Sequence, residues 1–421
     1  MSSFDKPILA AFGGAPILPK DFKHPDWPVI NETYKRVVTE QMDESMSIYN
    51  RSGIFEDFED KFAALHGAKY ALLNNSGTNA LWAMFVGAGL GPGDEVICPT
   101  YTFFATNTPL LSSGVHPVFC DADDDGNIDP SEIVKKIGPK TKAILITHMW
   151  GYPCKMDEIV SIVKDNNLLL FEDCSHAHLA KYKGKPVGSF GDAAAWSLQG
   201  QKNITGGEGG IIVTNNLDIY VRANLLGHYN KRCKDEIPKD HPLYRFAVTG
   251  MGLKLRAHPL AVAFADEQLR QHDKYQEMRN FCANEYRKLL QEYSFIKPIE
   301  YKDADPSWYA FIFKYSTPDG SDISREKFVD LLHAEGLSEV DIPGSTGPNH
   351  LLPLFKEPSV LFPQFYEKSD YFNTNEDFPK AQKFYESIIK LPTWTQTEHK
   401  SLVNDYIEGL RKVLDYVSNN N

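Results

Sequence analysis

"SLQGQKNITGGEGG", Ser197 to Gly210, holds one lysine, Lys202, followed by a glycine-rich turn around Glu208. The phosphate loop of nucleotide-binding enzymes places its glycines before the lysine and a Ser or Thr directly after it. Here the order is reversed and Asn203 follows Lys202, so that reading fails. The stretch joins two β-rich runs, "AAAWSL" and "GGIIVTN". Its glycines let the chain turn back tightly from one into the other. What remains to explain is a lone lysine at the lip of that turn.

Upstream, the same rhythm repeats. "YALLN", "EVICP", "HPVFCD", "KAILITH" and "LLLFED" are short apolar runs separated by helical stretches. Such alternation predicts an α/β fold, a mainly parallel sheet with helices on both faces. Ligands in that architecture sit beyond the carboxyl ends of the strands. "FEDFEDKFAALHG" has apolar residues at helical spacing and a glycine where a helix would stop. Residues 1–35 read as an irregular arm, and 36–275 as the large domain. From about Asp266 to Tyr293 a long charged helix connects to a smaller C-terminal α+β domain, 276–421. That unit has a strand candidate, "WYAFIFKY", a helix at "SREKFVDLLHAEG" and another near the C-terminus.

Three features fall directly after strands. "NNSGTNALWAMF", Asn74 to Phe85, leaves a strand and opens a helix. Gly77 lets backbone approach a ligand, Ser76 and Thr78 offer hydroxyls, and a helix N-terminus favours an anion. The competing reading is an ordinary capped helix start. "FEDCSHAH", Phe171 to His178, ends a strand at Asp173. A carboxylate there suits a protonated ring nitrogen, or equally the capping of a turn. His176 and His178 at i, i+2 make a weak zinc signal, and no metal is assigned. Lys202 is the third: a lysine amine forms Schiff bases with aldehydes where its neutral form is favoured. A phosphate site, a carboxylate for a pyridinium and a lysine for an aldehyde are the three handles on pyridoxal 5′-phosphate.

The chain has 421 residues and a formal net charge of −12. That charge argues against nucleic acid and anionic membrane surfaces as partners, and no apolar run approaches a membrane span. "MSSFDKPILAAFGGAPILP" is too short and broken in its apolar part for a signal peptide. Six scattered cysteines with no CxxC pair suggest reduced thiols in a cytoplasmic protein. One motif points elsewhere. "DADDDGNIDPSE", Asp121 to Glu132, fits the EF-hand template. An EF-hand needs a helix leading in, and "HPVFC" is β-rich. The loop therefore reads as a solvated acidic turn with an Asp helix cap.

At these motifs the chain resembles the DegT/DnrJ/EryC1/StrS family of pyridoxal-phosphate aminotransferases, from about Gly13 to Thr395. The blocks that carry it are "SGTNALWAMFVGAGLGPGDEVICPTYTFFAT", "FEDCSHAHLAKYKGKPVGSFGDAAAWSLQGQKNITGGEGG" and "LPTWTQTEH". The resemblance implies a type I aminotransferase fold and active sites shared across a homodimer. It implies transfer of an amino group from glutamate or glutamine to a keto cyclitol or keto sugar. It makes Lys202 the Schiff-base lysine, Asp173 the partner of the pyridine nitrogen, and Phe103 the aromatic stacked on the ring. His176 falls near the cofactor's phenolic oxygen, and Gly77, Thr78 and Ser197 at its phosphate. Many members carry an Asn that reaches the partner subunit's phosphate; "GLKLRAHPLA" puts Lys254 there, with Arg256 and His258 nearby. The N-terminal "FGGAPILP" and Trp27–Pro28 resemble the cyclitol branch more than the sugar-nucleotide branch. Two rivals stand beside this reading: a pyridoxal-phosphate deoxygenation or dehydration, and a non-catalytic cofactor-binding regulator. Relatives of the first kind can have His at the lysine position, so Lys202 counts against it.

Overall fold

A computed structural model describes residues 8–368 and 378–419. The apolar runs form the strands of one seven-stranded sheet: β1 (Tyr70–Asn74), β2 (Glu95–Pro99), β3 (His116–Cys120), β4 (Thr141–Thr147), β5 (Leu169–Asp173), β6 (Ala193–Ser197) and β7 (Gly210–Thr214). Their order across the sheet is β1-β7-β6-β5-β4-β2-β3. The pairs from β6 through β3 are parallel. β7 runs antiparallel to both β1 and β6. The reversal is the turn that carries Lys202, with Gly210 paired to Ser197.

The strands are buried on both faces, which is why they read as continuous apolar runs. Leu72, Leu145 and Phe171 face one core, which continues into the C-terminal unit. Ala71, Leu73, Ala194 and Trp196 face a second, and Ile97, Ile144 and Ile146 a third. Eight principal helices cover these faces and the C-terminal unit: α1 (Glu32–Glu44), α2 (Ile54–His66), α3 (Gly77–Gly87), α4 (Met156–Asp165), α5 (Leu217–Gly227), α6 (Pro259–Leu290), α7 (Arg325–Ala334) and α8 (Lys400–Asn419). α2 buries Phe55, Phe58 and Phe62 at helical spacing and stops at Gly67, which sits at φ 61. Its Glu59 accepts from the Leu73 backbone and from both terminal nitrogens of Arg232, at 2.9, 2.9 and 2.8 Å. That buried pair fixes the end of β1 where the Asn74–Phe85 segment begins.

α6 starts seven residues earlier than its charged pattern indicates, at Pro259, with His258 capping it. Proline is tolerated at a helix start because the amide it lacks would be unpaired there. The helix runs unbroken through residues 275 and 276 into the C-terminal unit. There β8 (Ile296–Pro298), β9 (Phe311–Tyr315) and β10 (Ile388–Leu391) form a three-stranded antiparallel sheet. β9 is shorter than "WYAFIFKY": Trp308 sits at φ 53, which no strand accommodates.

The acidic loop differs from its reading in one respect. A strand, β3, leads into it, and Asp129 caps the helix Pro130–Lys136 by accepting from Ser131. But Asp121, Asp123 and Asp129 are buried rather than solvated. The helix Pro379–Ser387 docks on them: Asp121 accepts from the Lys380 and Ala381 amides, and Lys380 Nζ lies 2.7 Å from Asp129. Asp123 pairs with Lys155 at 3.0 Å. The carboxylates already have partners, so chelators are expected to leave the melting temperature and activity unchanged. A calcium-dependent rise in melting temperature would contradict this.

Candidate active site

The carboxyl ends of β1, β5 and β6 open on a cavity of about 450 Å³. β5 delivers Asp173, buried, with each oxygen held. Oδ2 accepts from Thr106 Oγ1 at 2.7 Å and Oδ1 from the Ser175 amide at 3.0 Å. Thr106 is in turn joined to Thr102 at 2.8 Å. The neighbouring Glu172 faces the other side of the sheet. It accepts from the Gly188, Phe190 and Gly191 amides and from His148, so it serves as a strut under the strand end.

β6 delivers Ser197, against which α3 begins. A Cβ on Gly77 would lie 2.5 Å from Ser197 Cβ, and one on Gly210 2.3 Å from the Ser76 carbonyl. Only glycine at both positions lets the α3 N-terminus sit on the strand ends. Ser76 spends its hydroxyl on the cap, accepting from Asn79 at 3.1 Å, as the ordinary helix-start reading has it. The first amides of a helix have no acceptor inside it, and Gly77 and Thr78 line the cavity. Ser197 Oγ accepts from the Gln199 amide at 3.2 Å, which leaves its own proton free to donate.

Lys202 enters from the turn. Its amide donates to the Gln199 carbonyl at 2.8 Å. Its carbonyl accepts from the Trp27 indole at 3.0 Å, a contact from the N-terminal arm. Asn203 beside it donates to the Ser307 carbonyl at 2.6 Å. Nζ stands 4.7 Å from the centre of the Tyr309 ring. Burial pulls its pKa down to about 8, partly opposed by the Asp173 carboxylate. The same Tyr309 ring stacks on His176 at 4.0 Å and 7°. Burial, reinforced by the Lys202 charge, pushes the His176 pKa well below its ordinary value. The imidazole is therefore neutral, and among the described residues its buried Nδ1 has no hydrogen-bond partner.

Lys202, Asp173, His176, Gly77, Thr78, Ser197 and Phe103 thus line one cavity. Phe103 is half-buried, its ring 4.2 Å from Phe104. Lys254 is not among the residues that line it. It is exposed, 5.9 Å over the Tyr229 ring. Arg256 packs over Tyr49 and Tyr229 and donates to the Ile48 carbonyl. Sequence reasoning missed Tyr309, Trp150, Thr106, Asp341 and Lys390, which also line the cavity. Trp150 and Trp308 both hold positive φ, and no motif in the sequence marks either.

An amine with a lowered pKa, an anchored carboxylate and a helix N-terminus in one cavity suit carbonyl chemistry on a phosphorylated ring. Comparison with known proteins agrees. GDP-perosamine synthase of Escherichia coli O157:H7 is 32% identical over 331 residues, 78% of this chain and 86% of that one. A putative L-glutamine:3-amino-2,3-dideoxy-scyllo-inosose aminotransferase of Micromonospora echinospora is 29% identical, covering 97% and 96%. The crystal structure of an aminotransferase from Psychrobacter cryohalolentis superposes with a TM-score of 0.83 at 24% identity, over 94% of this chain and all of that one. The family profile described as DegT/DnrJ/EryC1/StrS aminotransferase matches residues 29–407, and the chain belongs to that aminotransferase family.

Proposed function

We propose that this chain binds pyridoxal 5′-phosphate through Lys202 and moves an amino group from glutamate or glutamine to a keto cyclitol or keto sugar. One observation carries the reading: a lysine amine with its pKa lowered to about 8 shares a cavity with the buried, doubly anchored Asp173. The residues fit the cofactor, and the buried Nδ1 of His176 has no protein partner of its own. When bound, the cofactor supplies an aldehyde for the amine and a ring that draws electrons from the substrate's Cα. The Gly77 and Thr78 amides and the Ser197 hydroxyl would hold the phosphate. Asp173 would keep a proton on the ring nitrogen. The neutral His176 would serve the phenolic oxygen, and Phe103 would bound the ring. The Lys202 amine, with its lowered pKa, would take a proton from the substrate carbon and return it, acting as base and then acid. Two relatives are named for perosamine and scyllo-inosose chemistry, which supports the acceptor class. The free, buried cysteines suit a cytoplasmic setting.

Spectroscopy tests the reading. Protein loaded with the cofactor loses its visible absorbance band on addition of glutamate or glutamine and regains it with a keto cyclitol or keto sugar. A band that never changes would leave a cofactor-binding regulator.

The same reading makes the protein a homodimer in which Lys254 reaches the partner's phosphate. Phe246, Val248, Met251 and Leu253 around it are 42%, 60%, 48% and 37% exposed, an apolar surface suited to a second copy. Mixed dimers distinguish the arrangements. Pair a Lys254→Ala subunit with a Lys202→Ala subunit. Acting in trans, Lys254 from the second subunit completes the site that retains Lys202, and activity survives. Acting in cis, that site lacks it, and the mixed dimer is as impaired as the Lys254→Ala homodimer.

A further inference from the structure

The cavity holds a cation that the cofactor leaves idle. Among the described residues lining it, the cationic side chains are Lys202 and Lys390. Lys390 interrupts β10, "IIKL", where Ile388, Ile389 and Leu391 are fully buried. Its partner in the fold is Asp341. Each backbone amide donates to the other residue's carbonyl, at 3.0 and 2.8 Å. Lys390 Nζ lies 2.9 Å from Asp341 Oδ2. Asp341 also lines the cavity and leads into the segment whose Thr346 pairs with Phe103. The pair is thus built into the wall of the cavity, and the Lys390 charge adds a small part to the burial that lowers the His176 pKa.

An amino-acid donor brings a carboxylate on the same carbon as its amino group. A donor whose amine approaches the Lys202 end of the cavity would bring that carboxylate into the cavity beside it. The Asp173 carboxylate repels it, and the cavity-side cation left to receive it is Lys390. We propose that Lys390 is the docking group for the donor's carboxylate, positioned by Asp341; this rests on the aminotransferase reading above. An ammonium has three donors. Asp341 occupies one and leaves two for the incoming carboxylate. The Asp341 side chain is 52% exposed and that of Lys390 31%, so water screens the resident carboxylate more than the lysine. Charge-assisted bonds to a half-buried ammonium are among the stronger polar contacts.

The test uses cofactor-loaded Lys390→Gln and Lys390→Arg proteins. Borohydride labelling at Lys202 is checked first, because failure there would indict the cofactor reading instead. For Lys390→Gln the donor KM is expected to rise on the order of 10- to 100-fold, the loss of one charged hydrogen bond. The acceptor KM stays close to wild type. Lys390→Arg recovers most of the donor affinity. Glutarate, a dicarboxylate without an amine, is expected to compete with donor and to raise the melting temperature of the wild-type protein more than that of Lys390→Gln. An unchanged donor KM, a rise shared equally by the acceptor, or a Lys390→Arg protein as impaired as Lys390→Gln overturns the proposal.

Discussion

Lys202→Ala is expected to abolish covalent cofactor attachment and to lower transamination by at least about 10⁴-fold, the upper range for removal of a positioned acid–base group. The fold survives, because the turn is held by backbone contacts at residue 202: the Gln199 and Trp27 bonds involve no side-chain atom of the lysine. Borohydride reduction and peptide mapping check the assignment. The wild-type protein carries the label on Lys202, and a label on another lysine would sink it. A pH dependence follows from the lowered pKa of about 8. In the cofactor-free protein the neutral amine gains population as pH rises toward 8. Aldehyde capture therefore accelerates up to that region and levels off above it. The linkage sign is the reverse of a favourable ion pair. Between about pH 8 and the lysine's ordinary value near 10.4, the unfolded chain binds the extra proton. Folding stability therefore rises with pH across that window.

The second large effect is at Asp173. Asp173→Asn is expected to keep cofactor bound yet lower kcat by about 10²–10³-fold, as for other losses of transition-state charge stabilisation. The amide fits the site: its oxygen can accept from the Ser175 amide while its nitrogen faces Thr106, whose hydroxyl turns to accept. Local structure therefore persists. The variant loses only the negative charge that would hold a proton on the ring nitrogen of the bound cofactor. Steady-state kinetics with cofactor content measured in parallel give the answer, and near-normal kcat would reduce Asp173 to a turn cap.

Much of the site was readable because strand ends advertise themselves. Asp173 and Ser197 close apolar runs, and Gly77 follows a third, so the alternating pattern alone brings them to one edge. The residues that complete the cavity come from far along the chain. Tyr309 and Lys390 belong to strands or turns of another sheet, where an aromatic or a lysine is unremarkable until the neighbouring wall is known. Trp150 and Trp308 take left-handed backbone with no local signal. The buried state of Asp121 and Asp129 depends on a helix some 250 residues away, and no local window contains it. Lys254 is exposed, and its place 5.9 Å over the Tyr229 ring marks no task among the described residues of its own chain.

The indole of Trp27 reaches 175 positions along the chain to hold the carbonyl of Lys202. With Gln199 holding its amide, the residue is pinned by the main chain on both sides, and only its four-carbon stem can swing. If the proposed role holds, a base on so short a tether would never diffuse away from the carbon it serves. Its working concentration is set by the reach of one side chain rather than by anything dissolved around it, and well-oriented intramolecular groups reach effective molarities of roughly 10⁵–10⁸ M. A small amine added to Lys202→Ala protein has no such confinement. It would have to stand in for the missing group at the millimolar levels of the flask. Loosening the pin at Trp27 would let the whole residue drift, eroding that advantage while every reacting atom remained in the molecule.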